Sequence, residues 1–564
     1  MFGNEDRMGN KKIKEAQDAL ENQKIQNVKK VEKESKESQK DSKDIRKQKG
    51  EKNILITLFK ITMVILIFLI QLVFMGVLYS TARGVYHYAK VLFEIIKIIT
   101  VLILLYRHDN AAYKISWIIF ILFFPVVGML AFYLWGNTKL RKKKSNEIKR
   151  VTVDTEYTLK DSTGIAKELL SIDKYKYNQV EYMTKITGYP IYRNGGCEYY
   201  ETGEKFFDSL KKDLAKAQKY ILMEFYILSA GKLWDEILEI LKQKAEQGVK
   251  ITIIIDSLGS LLTRPKDLVE DMRALGIDVF TFNPFTPIIN GYINYRDHRK
   301  IVVVDGVCAY TGGVNLADEY TNIIKKYGYW KDVGIKVQGK ATWSYTLMFL
   351  RSLEQMTEKK VDYLWYKQIG EEMQKQIKER NHNGFVLSFA DGPENRKNPV
   401  ENIYIQTINY AKDYVYITTP YFIISESLLT AILNCARSGV DVRVILPHIP
   451  DKKLVQMVTR SYYEVLLEAG VRVYEFEPGF IHSKTFVVDD DTAIVGTANL
   501  DYRSAHLNFE CASWIYRTGE EKVVRQDFEE TLKHCIEIDL ATWKKRPFVK
   551  KASEALLSAF SPML

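Results

Sequence analysis

Cysteine and histidine are scarce in this chain, which has five cysteines and eight histidines among 564 residues. The cysteines are scattered, their number is odd, and no two of them have C-x-x-C spacing. This pattern argues against a disulfide framework and against cysteine-rich zinc or iron sites, and it is typical of reduced thiols that pack as small buried apolar side chains. The five are Cys197, Cys308, Cys435, Cys511 and Cys535.

Charge is missing from two long stretches, Ile61–Tyr79 and Ile115–Trp135. Each meets the length of roughly 20 apolar residues needed to cross a bilayer, and each is too long and too uniformly apolar for a buried core helix. We therefore expect two transmembrane helices, at about residues 54–79 and 115–135. Lysine-rich sequence precedes the first stretch and residues 139–144 are mostly basic, so the positive-inside rule places both flanks and the long C-terminal region in the cytoplasm.

Large apolar residues are few in residues 1–52, which are dense in Lys, Glu, Gln and Ser. This segment cannot bury a core and is predicted to be a disordered charged tail, too long and too charged for a signal peptide. Residues 85–106 are apolar, yet polar residues follow one helical face at spacings of three and four. We expect an interfacial helix there, within a membrane region over residues 53–140. The alternative is a third span, which would place the catalytic region outside the cell, and the basic residues after Trp135 argue against it. The polar residues are His87, Lys90, Glu94 and Lys97.

Two of the eight histidines belong to a pattern that the chain contains twice, H-x-K-x4-D. The copies are His298–Asp305, with Lys300, and His482–Asp489, with Lys484. On a strand, residues two apart project to one face, so each copy places an imidazole beside an ammonium group. A nucleophile or proton donor next to a fixed positive charge suits an anionic phosphate. One match would be a weak signal, whereas two matched copies are a strong one.

The aspartates of the motif, Asp305 and Asp489, lie five residues after their lysines. This odd separation turns them away from the His–Lys face of a regular strand, so we expect them to bind backbone at the next turn, although they belong to the catalytic motif. A glycine-containing turn follows each aspartate and ends in an asparagine, Asn315 in the first copy and Asn499 in the second. These turns offer backbone donors, and the amides are neutral donors for phosphate oxygens.

The two motifs lie within a longer internal repeat. Ala217–Met223 corresponds to Ala411–Ile417, and each is followed by a helix-length segment and further short apolar runs. This alternation predicts an α/β fold with two similar halves and largely parallel, buried strands. One His–Lys pair from each half would meet at a shared, pseudo-symmetric cleft. The expected ranges are 141–190 for a linker, 191–356 for the first half, 357–394 for a connecting segment and 395–564 for the second half.

A formal net charge of +11 favours an anionic partner. Each basic residue near an anionic leaflet contributes about 1 kcal/mol of attraction. Nucleic acid is the competing polyanion, but the two predicted membrane spans favour anionic lipid. No metal is expected in the repeated motif, because a lysine ammonium between two possible ligands would repel a divalent cation.

Several stretches in and around the motifs match one known pattern. They are Trp117–Gly136, Asn294–Lys300, Gly312–Tyr320, Trp330–Asp332, Thr419–Phe422, Gly479–Lys484 and, as the most specific, Gly496–Glu510. With the doubled motif, they resemble the HKD signature of the phospholipase D superfamily and, more narrowly, the bacterial cardiolipin synthases. Lys331 stands where that family usually has arginine. Such departures bear on substrate preference more than on chemistry, because they leave both His–Lys pairs intact.

The resemblance implies a reaction and a role for each motif residue. One phosphatidylglycerol would give its phosphatidyl group to His298 as a phosphohistidine, glycerol would leave, and a second phosphatidylglycerol would accept the group to form cardiolipin. His482 would be general acid and base, and the lysines and asparagines would bind the phosphate oxygens. Asp332 would orient His298, and Glu510 would orient His482. No cofactor is implied, and the enzyme would lie in the cell membrane with its catalytic region in the cytoplasm.

Other functions could use the same residues. With water as the acceptor, the chain would be a phospholipase D-type phosphodiesterase or a nuclease. A membrane-tethered lipid-binding scaffold belongs to a different class, but a scaffold would need the two lysines and not the two histidines. Neither the acceptor preference nor the oligomeric state follows from the sequence.

Overall fold

The structure is a computed structural model that describes residues 69, 73, 76, 77, 80, 83–107, 109–136, 142–284, 294–376, 383–395 and 397–563. The predicted tail, residues 1–52, lies outside these ranges, and so does most of the first predicted membrane span, residues 54–79. Both remain predictions.

Three helices precede the α/β region: α1 Arg83–Tyr106, α2 Ala111–Phe123 and α3 Pro125–Trp135. Helix α1 confirms a helix over residues 85–106, while its interfacial position stays a prediction. Many of its apolar side chains are exposed, including Leu92 and Leu102, at 57% each. Within the described ranges, no helix combines the length and the apolar character required for crossing a bilayer.

The prediction of one continuous helix over Ile115–Trp135 is wrong. The chain forms two shorter helices there, because α2 ends at Phe123 and α3 begins at Pro125. Proline has no N–H to donate to a preceding helical turn and its ring clashes with that turn, whereas its fixed φ suits the first position of a new helix. Uniform hydrophobicity over this stretch masked the break that the proline introduces.

Helices α2 and α3 pack against each other as an antiparallel hairpin. Trp117 contacts Phe132 edge-on, with ring centroids 5.5 Å apart. Closer to the tip, a β-carbon on Gly128 would lie only 2.8 Å from the Cα of Ile121. Glycine therefore permits the two helices to approach closely at this position.

The segment expected as a linker, residues 141–190, is largely helical and packs into the main core. It forms α4 Lys142–Thr155, α5 Thr163–Ile172 and α6 Lys174–Thr187. Leu169, Val180 and Met183 are completely buried among the strands and helices of that core. These residues are thus part of the fold and not a spacer.

Two α/β halves follow. The first contains strands β1 Tyr192–Arg193, β2 Cys197–Tyr200, β3 Tyr220–Phe225, β4 Lys250–Asp256, β5 Asp278–Phe282, β6 Arg296–Asp297, β7 Ile301–Val304, β8 Cys308–Gly312, β9 Tyr329–Lys331 and β10 Gly334–Gln338, with helices α7 Gly203–Lys216, α8 Lys232–Glu246, α9 Leu268–Ala274 and α10 Thr342–Thr357. Helix α11 Tyr363–Lys375 connects it to the second half.

The second half contains nine strands and eight helices within the described residues. The strands are β11 Phe385–Asp391, β12 Tyr414–Thr418, β13 Asp441–Pro447, β14 Arg472–Phe476, β15 Gly479–Ile481, β16 Thr485–Val488, β17 Thr492–Gly496, β18 Asn508–Tyr516 and β19 Cys535–Glu537. The helices are α12 Pro399–Asn409, α13 Glu426–Arg437, α14 Lys453–Ser461, α15 Tyr463–Glu468, α16 Tyr502–His506, α17 Glu520–Leu532, α18 Leu540–Lys544 and α19 Phe548–Ser558. Strand β11 lies in the predicted connecting segment, so this sheet begins earlier than expected.

The strand order is the same in both halves. The first sheet runs β2, β10, β8, β7, β3, β4, β5, and seven strands of the second run β11, β18, β17, β16, β12, β13, β14. Strands β1 and β19 extend the second sheet at its edges, and β6 pairs with β18 off this path. The match confirms two similar α/β halves.

Only part of each sheet is parallel, so the expectation of largely parallel strands is wrong for the motif strands. Strands β3, β4 and β5 are parallel, as are β12, β13 and β14. Strands β7 and β8, and likewise β16 and β17, are antiparallel. They are joined by tight turns that begin at Asp305 and Asp489, and a short turn can connect only antiparallel neighbours.

Both faces of the first motif strand are buried. Ile301 and Val303 of β7 belong to one apolar cluster, and Val302 and Val304 belong to another. A strand packed on both faces reads as a continuous apolar run. The residues that precede it, His298 and Lys300, are therefore attached to a rigid element.

Candidate active site

Each His–Lys pair lies between a short strand and the start of the motif strand. His298 follows β6 and His482 follows β15, and both histidines and both lysines are at most 8% exposed. Each lysine donates a hydrogen bond to the carbonyl of its own histidine, at 2.6 Å from Lys300 Nζ in the first copy. Each ammonium is therefore held at the backbone of its own histidine.

The two pairs belong to one site, as the repeat predicts. Burial is the main cause that lowers the pKa of His482 well below its usual value, and the charges of Lys484, Lys300 and His298 lower it further. These groups act on one another only because they converge on the same cleft between the halves. Two histidines and two lysines in one buried site favour the binding of an anion.

The carboxylates that orient the histidines are exchanged relative to the prediction. His298 Nδ1 lies 3.0 Å from both oxygens of Glu510, and His482 Nδ1 lies 2.7 Å from Asp332 Oδ2. The predicted pairings of Asp332 with His298 and of Glu510 with His482 are therefore wrong. Each imidazole takes its carboxylate partner from the opposite half of the molecule.

Two short parallel strand pairings cause this exchange. Strand β6 pairs with the start of β18, and the His298 N–H then donates to Phe509 O at 2.9 Å, which brings Glu510 beside His298. Strand β15 pairs with β9, and the His482 N–H donates to Lys331 O at 2.7 Å, which brings Asp332 beside His482. Both pairings join residues distant in sequence, so a local reading of either motif could not reveal them.

Glu510 is held as a carboxylate. It accepts hydrogen bonds from Thr497 Oγ1 at 2.5 Å and Asn508 Nδ2 at 3.2 Å, in addition to His298. Burial acts to raise its pKa, but the charge and hydrogen bond of His298, with Lys300 and Thr497, outweigh burial and lower the pKa of Glu510 to about 2. His298 therefore faces a full negative charge.

Asp332 is less firmly held in its ionised form than Glu510. Besides His482, it accepts one backbone hydrogen bond, from the N–H of Val333 at 2.8 Å. Burial raises the pKa of Asp332 to about 7, even though Lys484 and Lys300 oppose that rise. The two histidines thus have chemically similar but electrostatically different partners.

The protonation of the two lysines depends on whether an anion is bound. Burial lowers the pKa of Lys300 to about 8 and that of Lys484 to about 7. A phosphodiester placed between them would favour their charged forms and raise both pKa values. The site therefore gains positive charge as its ligand binds.

The structure does not bring Asp305 and Asp489 to the histidines, so their assignment as catalytic residues is corrected. They lie at the far ends of β7 and β16, and each carboxylate accepts three backbone N–H bonds of 2.7 to 3.0 Å. Both residues have φ of 52°, in the left-handed region. They fix the motif turn to the segment that precedes β3 or β12, as their odd spacing predicts.

Replacing Asp489 with alanine should therefore lower stability and not chemistry. Three backbone donors lose a charged acceptor, and we expect the free energy of unfolding to fall by on the order of 3 kcal/mol. Chemical denaturation of the purified protein, with activity measured below the unfolding transition, checks this. A variant of normal stability that lacks activity would instead return Asp489 to the reaction.

The two asparagines are not equivalent. Asn315 is engaged at both ends of its amide, because Oδ1 accepts from Ile227 N at 3.0 Å and Nδ2 donates to the Tyr320 hydroxyl at 2.7 Å. Asn499 Nδ2 donates to Asp501 Oδ2 at 3.3 Å, and Asn499 Oδ1 is buried with no hydrogen-bond partner. Of the two, Asn499 has the spare hydrogen-bonding capacity.

The sequence did not predict several residues of the site, above all the aromatic side chains that line it. The centroids of the Tyr226 and His298 rings are 5.1 Å apart. Lys300 Nζ lies 5.5 Å from the centroid of the Tyr226 ring. Three aromatic rings surround His482 at 5.6 to 5.8 Å, namely Tyr320, Trp330 and Phe480. Those three lie within stretches that carried the resemblance, whereas Tyr226 had no signal beyond its position after β3. Thr497 and Asn508 were likewise missed as partners of Glu510.

A metal centre is not evident in the described part of the chain, where no three His, Cys, Asp or Glu side chains cluster as ligands. The five cysteines are all free thiols.

Comparison with known proteins agrees with this geometry. The model of a family described as cardiolipin synthase, phospholipase D-like domain, matches residues 210–325 and 404–532, and a phospholipase D-nuclease N-terminal family matches residues 95–137. A Geobacillus kaustophilus protein named cardiolipin synthase is 33% identical over 88% of this chain and 98% of its own length. An uncharacterised Streptococcus mutans protein is 38% identical over 80% of this chain and 96% of its own.

A solved structure shares the fold. The phosphatidylserine synthase of Haemophilus influenzae aligns with 69% of this chain and all of its own, with a TM-score of 0.51 and 16% sequence identity. At this identity the similarity concerns the fold alone, and it is consistent with the paired α/β halves described above.

Proposed function

The chain belongs to the cardiolipin synthase family of phospholipase D-like proteins, and on this premise we propose that it transfers a phosphatidyl group from one phosphatidylglycerol to another, giving cardiolipin and glycerol. The observation that carries the proposal is the pair of buried His–Lys motifs, each completed by a carboxylate from the opposite half. Such a site supplies a nucleophile, a proton donor and two cations to a phosphodiester.

In the first step, His298 Nε2 forms a bond to phosphorus while the bond from phosphorus to the glycerol oxygen breaks. His482 Nε2–H gives its proton to that oxygen, so neutral glycerol leaves. Lys300 and Lys484 stabilise the charge on the remaining phosphate oxygens. The product is phosphatidyl-His298 and a neutral His482.

In the second step, His482 Nε2 takes the proton from a hydroxyl of the second phosphatidylglycerol as that oxygen attacks phosphorus. The phosphorus–nitrogen bond breaks and its electron pair returns to His298. Cardiolipin leaves, and His482 is protonated again, so the cycle closes without consuming any other reactant. This reversal of roles is the usual requirement for a group that is acid in one step and base in the next.

The assignment of His298 as the nucleophile is supported by its partner. A hydrogen bond from Nδ1–H to the ionised Glu510 keeps Nε2 unprotonated toward the cleft and increases its electron density. Burial lowers the pKa of both histidines, and Glu510 opposes that effect at His298. At His482, a bound phosphodiester would offset the two ammonium charges and so favour the proton that an acid needs.

The alternative, a phospholipase D-type hydrolase, differs only in its acceptor. A phosphohistidine survives long enough to meet a lipid alcohol only where water is excluded. Both histidines are at most 8% exposed, and aromatic rings line the His482 side. These features favour transfer over hydrolysis.

The proposed partner is anionic phospholipid in the cell membrane, with the catalytic region on the cytoplasmic face. The net charge of +11 supports an anionic surface. A protein held at the bilayer also meets a high local concentration of the acceptor lipid.

Product analysis tests the proposal. Purified protein in vesicles of phosphatidylglycerol should yield cardiolipin and free glycerol with little phosphatidic acid, as measured by mass spectrometry. Because one primary-alcohol phosphodiester is exchanged for another, added glycerol should convert cardiolipin back to phosphatidylglycerol. Phosphatidic acid as the main product, with no reversal by glycerol, would establish the hydrolase instead.

A further inference from the structure

The two ends of the α2–α3 hairpin emerge at the same place. Arg107 precedes α2 and Gly136 follows α3, and Arg107 Nη1 donates to Gly136 O at 3.2 Å. Lys114 Nζ donates to Arg107 O at 3.2 Å, and Arg107 forms an ion pair with Asp109 at 2.5 Å. A polar cluster therefore closes the base of the hairpin, and the chain enters and leaves through it.

The hairpin is apolar on its outside. Five large apolar or aromatic side chains are between 52% and 75% exposed, and the most exposed is Phe123 at the end of α2. Large apolar side chains exposed together on one hairpin are typical of an interaction site in a folded protein. The five are Ile115, Leu122, Phe123, Leu130 and Tyr133.

The base of the hairpin contacts α16, the short helix that follows the Asn499 turn of the site. The Tyr113 ring stacks on the Tyr502 ring, with centroids 5.7 Å apart and an interplanar angle of 3°. Tyr502 begins α16, three residues after Asn499. Ser116 Oγ also donates to Ala559 O at 2.7 Å, which joins α2 to the C-terminus. The base of the hairpin is therefore fixed to a segment that adjoins the site in sequence.

Basic and apolar side chains flank this base. Helix α4, which follows the hairpin in the chain, exposes Lys142, Lys143, Lys149 and Arg150. Helix α19, which leads to Ala559, exposes several apolar side chains and Lys550. An apolar hairpin followed in the chain by a helix with exposed cations matches the acyl region and the anionic headgroups of a leaflet.

We propose that residues 111–135 form a re-entrant hairpin that inserts into one leaflet of an anionic bilayer and returns on the same side, holding the mouth of the cleft at the level of the headgroups. The identity of the partner as lipid rests on the proposed function. Beyond Ser116, which packs against Ala559, α2 continues to Phe123. This part of the helix extends about 10 Å, which lies within one leaflet of a hydrocarbon core about 30 Å thick. At the deepest point, Pro125 removes one backbone donor that lipid could not satisfy.

Site-specific labelling tests the path of the chain. Tyr106→Cys and Lys143→Cys place thiols before and after the hairpin at exposed positions. Sealed membrane vesicles of either orientation would be treated with a membrane-impermeant maleimide, and each labelled site identified by peptide mass mapping, with Lys533→Cys, at an exposed position directly after α17, as the reference for the catalytic side. We expect the thiols at positions 106 and 143 to react from the side on which the thiol at position 533 reacts. Reaction from opposite sides would show a spanning segment and overturn the proposal.

A second variant tests insertion itself. Phe123→Asp places a charge at the tip of the hairpin, whereas the matched control Tyr175→Asp places one on α6, away from the proposed membrane surface, at a similarly exposed position, 66% against 75%. Because a charge is expensive in hydrocarbon, the first should lower turnover of vesicle phosphatidylglycerol at least tenfold and the control should not. Both should keep the wild-type rate on a soluble short-chain phosphatidylglycerol.

The outcomes separate this inference from the proposed function. An equal loss for both variants, or no loss for Phe123→Asp, would overturn insertion of the hairpin. A hydrolase attached in the same way would still pass the labelling and vesicle tests, and it would fail only in product analysis, by releasing phosphatidic acid.

Discussion

Replacing either His298 or His482 with alanine is expected to lower cardiolipin formation by on the order of 10⁴-fold or more. The nucleophile and the proton donor act in the same step, so neither can substitute for the other. Radiolabelled phosphatidylglycerol in vesicles would detect residual turnover at this level. A chelator should leave the wild-type enzyme active, since the proposed reaction uses only side chains of the protein.

The two variants should differ on a substrate with a better leaving group. In phosphatidyl-p-nitrophenol the departing phenolate needs no proton, so loss of His482 should spare the first step and loss of His298 should abolish it. We expect the His482→Ala variant to release a burst of about one nitrophenol per enzyme and to retain the lipid as a phosphohistidine. His298→Ala should give no burst. A burst from His298→Ala alone would assign the nucleophile to His482.

The second large effect concerns the carboxylates exchanged between the halves. Glu510→Gln and Asp332→Asn keep size and shape but remove the negative charge that holds each histidine, and we expect each to lower cardiolipin formation by roughly 10²- to 10⁴-fold. Because Glu510 contacts His298 and Asp332 contacts His482, the nitrophenol burst should be lost in Glu510→Gln and kept in Asp332→Asn. Rapid-mixing absorbance measures the burst directly.

The opposite pattern of bursts in the two amide variants would contradict the assignment of each carboxylate to its histidine. If Asp332→Asn lost the burst and Glu510→Gln kept it, then each carboxylate would serve the histidine of its own half, or His482 would be the nucleophile. The histidine variants on the same substrate distinguish these two explanations. Thermal unfolding of both amide variants controls for collapse of the site, since Glu510 also binds Thr497.

The sequence predicted the features that repeat or alternate within a short window. The doubled motif and the matching runs upstream of it, such as Tyr220–Met223 and Tyr414–Ile417, predicted two similar halves and one shared site. The odd spacing of Asp305 and Asp489 predicted that they bind backbone, because side-chain direction on a strand depends only on local geometry. Here the local signal and the tertiary structure agree.

What the sequence did not predict depends on contacts between distant residues. Glu510 is 212 residues from His298 in sequence, and Asp332 is 150 residues from His482. The strand pairings that bring each carboxylate to its histidine leave no periodic pattern in the sequence. The hairpin at residues 111–135 was missed because hydrophobicity measures the length of an apolar run and not the direction of the chain, and a single proline within this run ends one helix and begins another. Residues 141–190 were taken for a linker because their apolar faces find partners only in the assembled core.

The exchange of carboxylates also has a consequence for synthesis of the chain. When the ribosome has released only the first half, His298 and Lys300 are present but Glu510 has not been made, and Asp332 has no imidazole to hold. Domains fold in the order in which they emerge. This intermediate therefore has one member of each histidine–carboxylate pair and neither pair complete. An enzyme that cuts and rejoins membrane lipid is thus inert until β18 docks against β6, and the bilayer beside the growing chain is protected from unfinished copies.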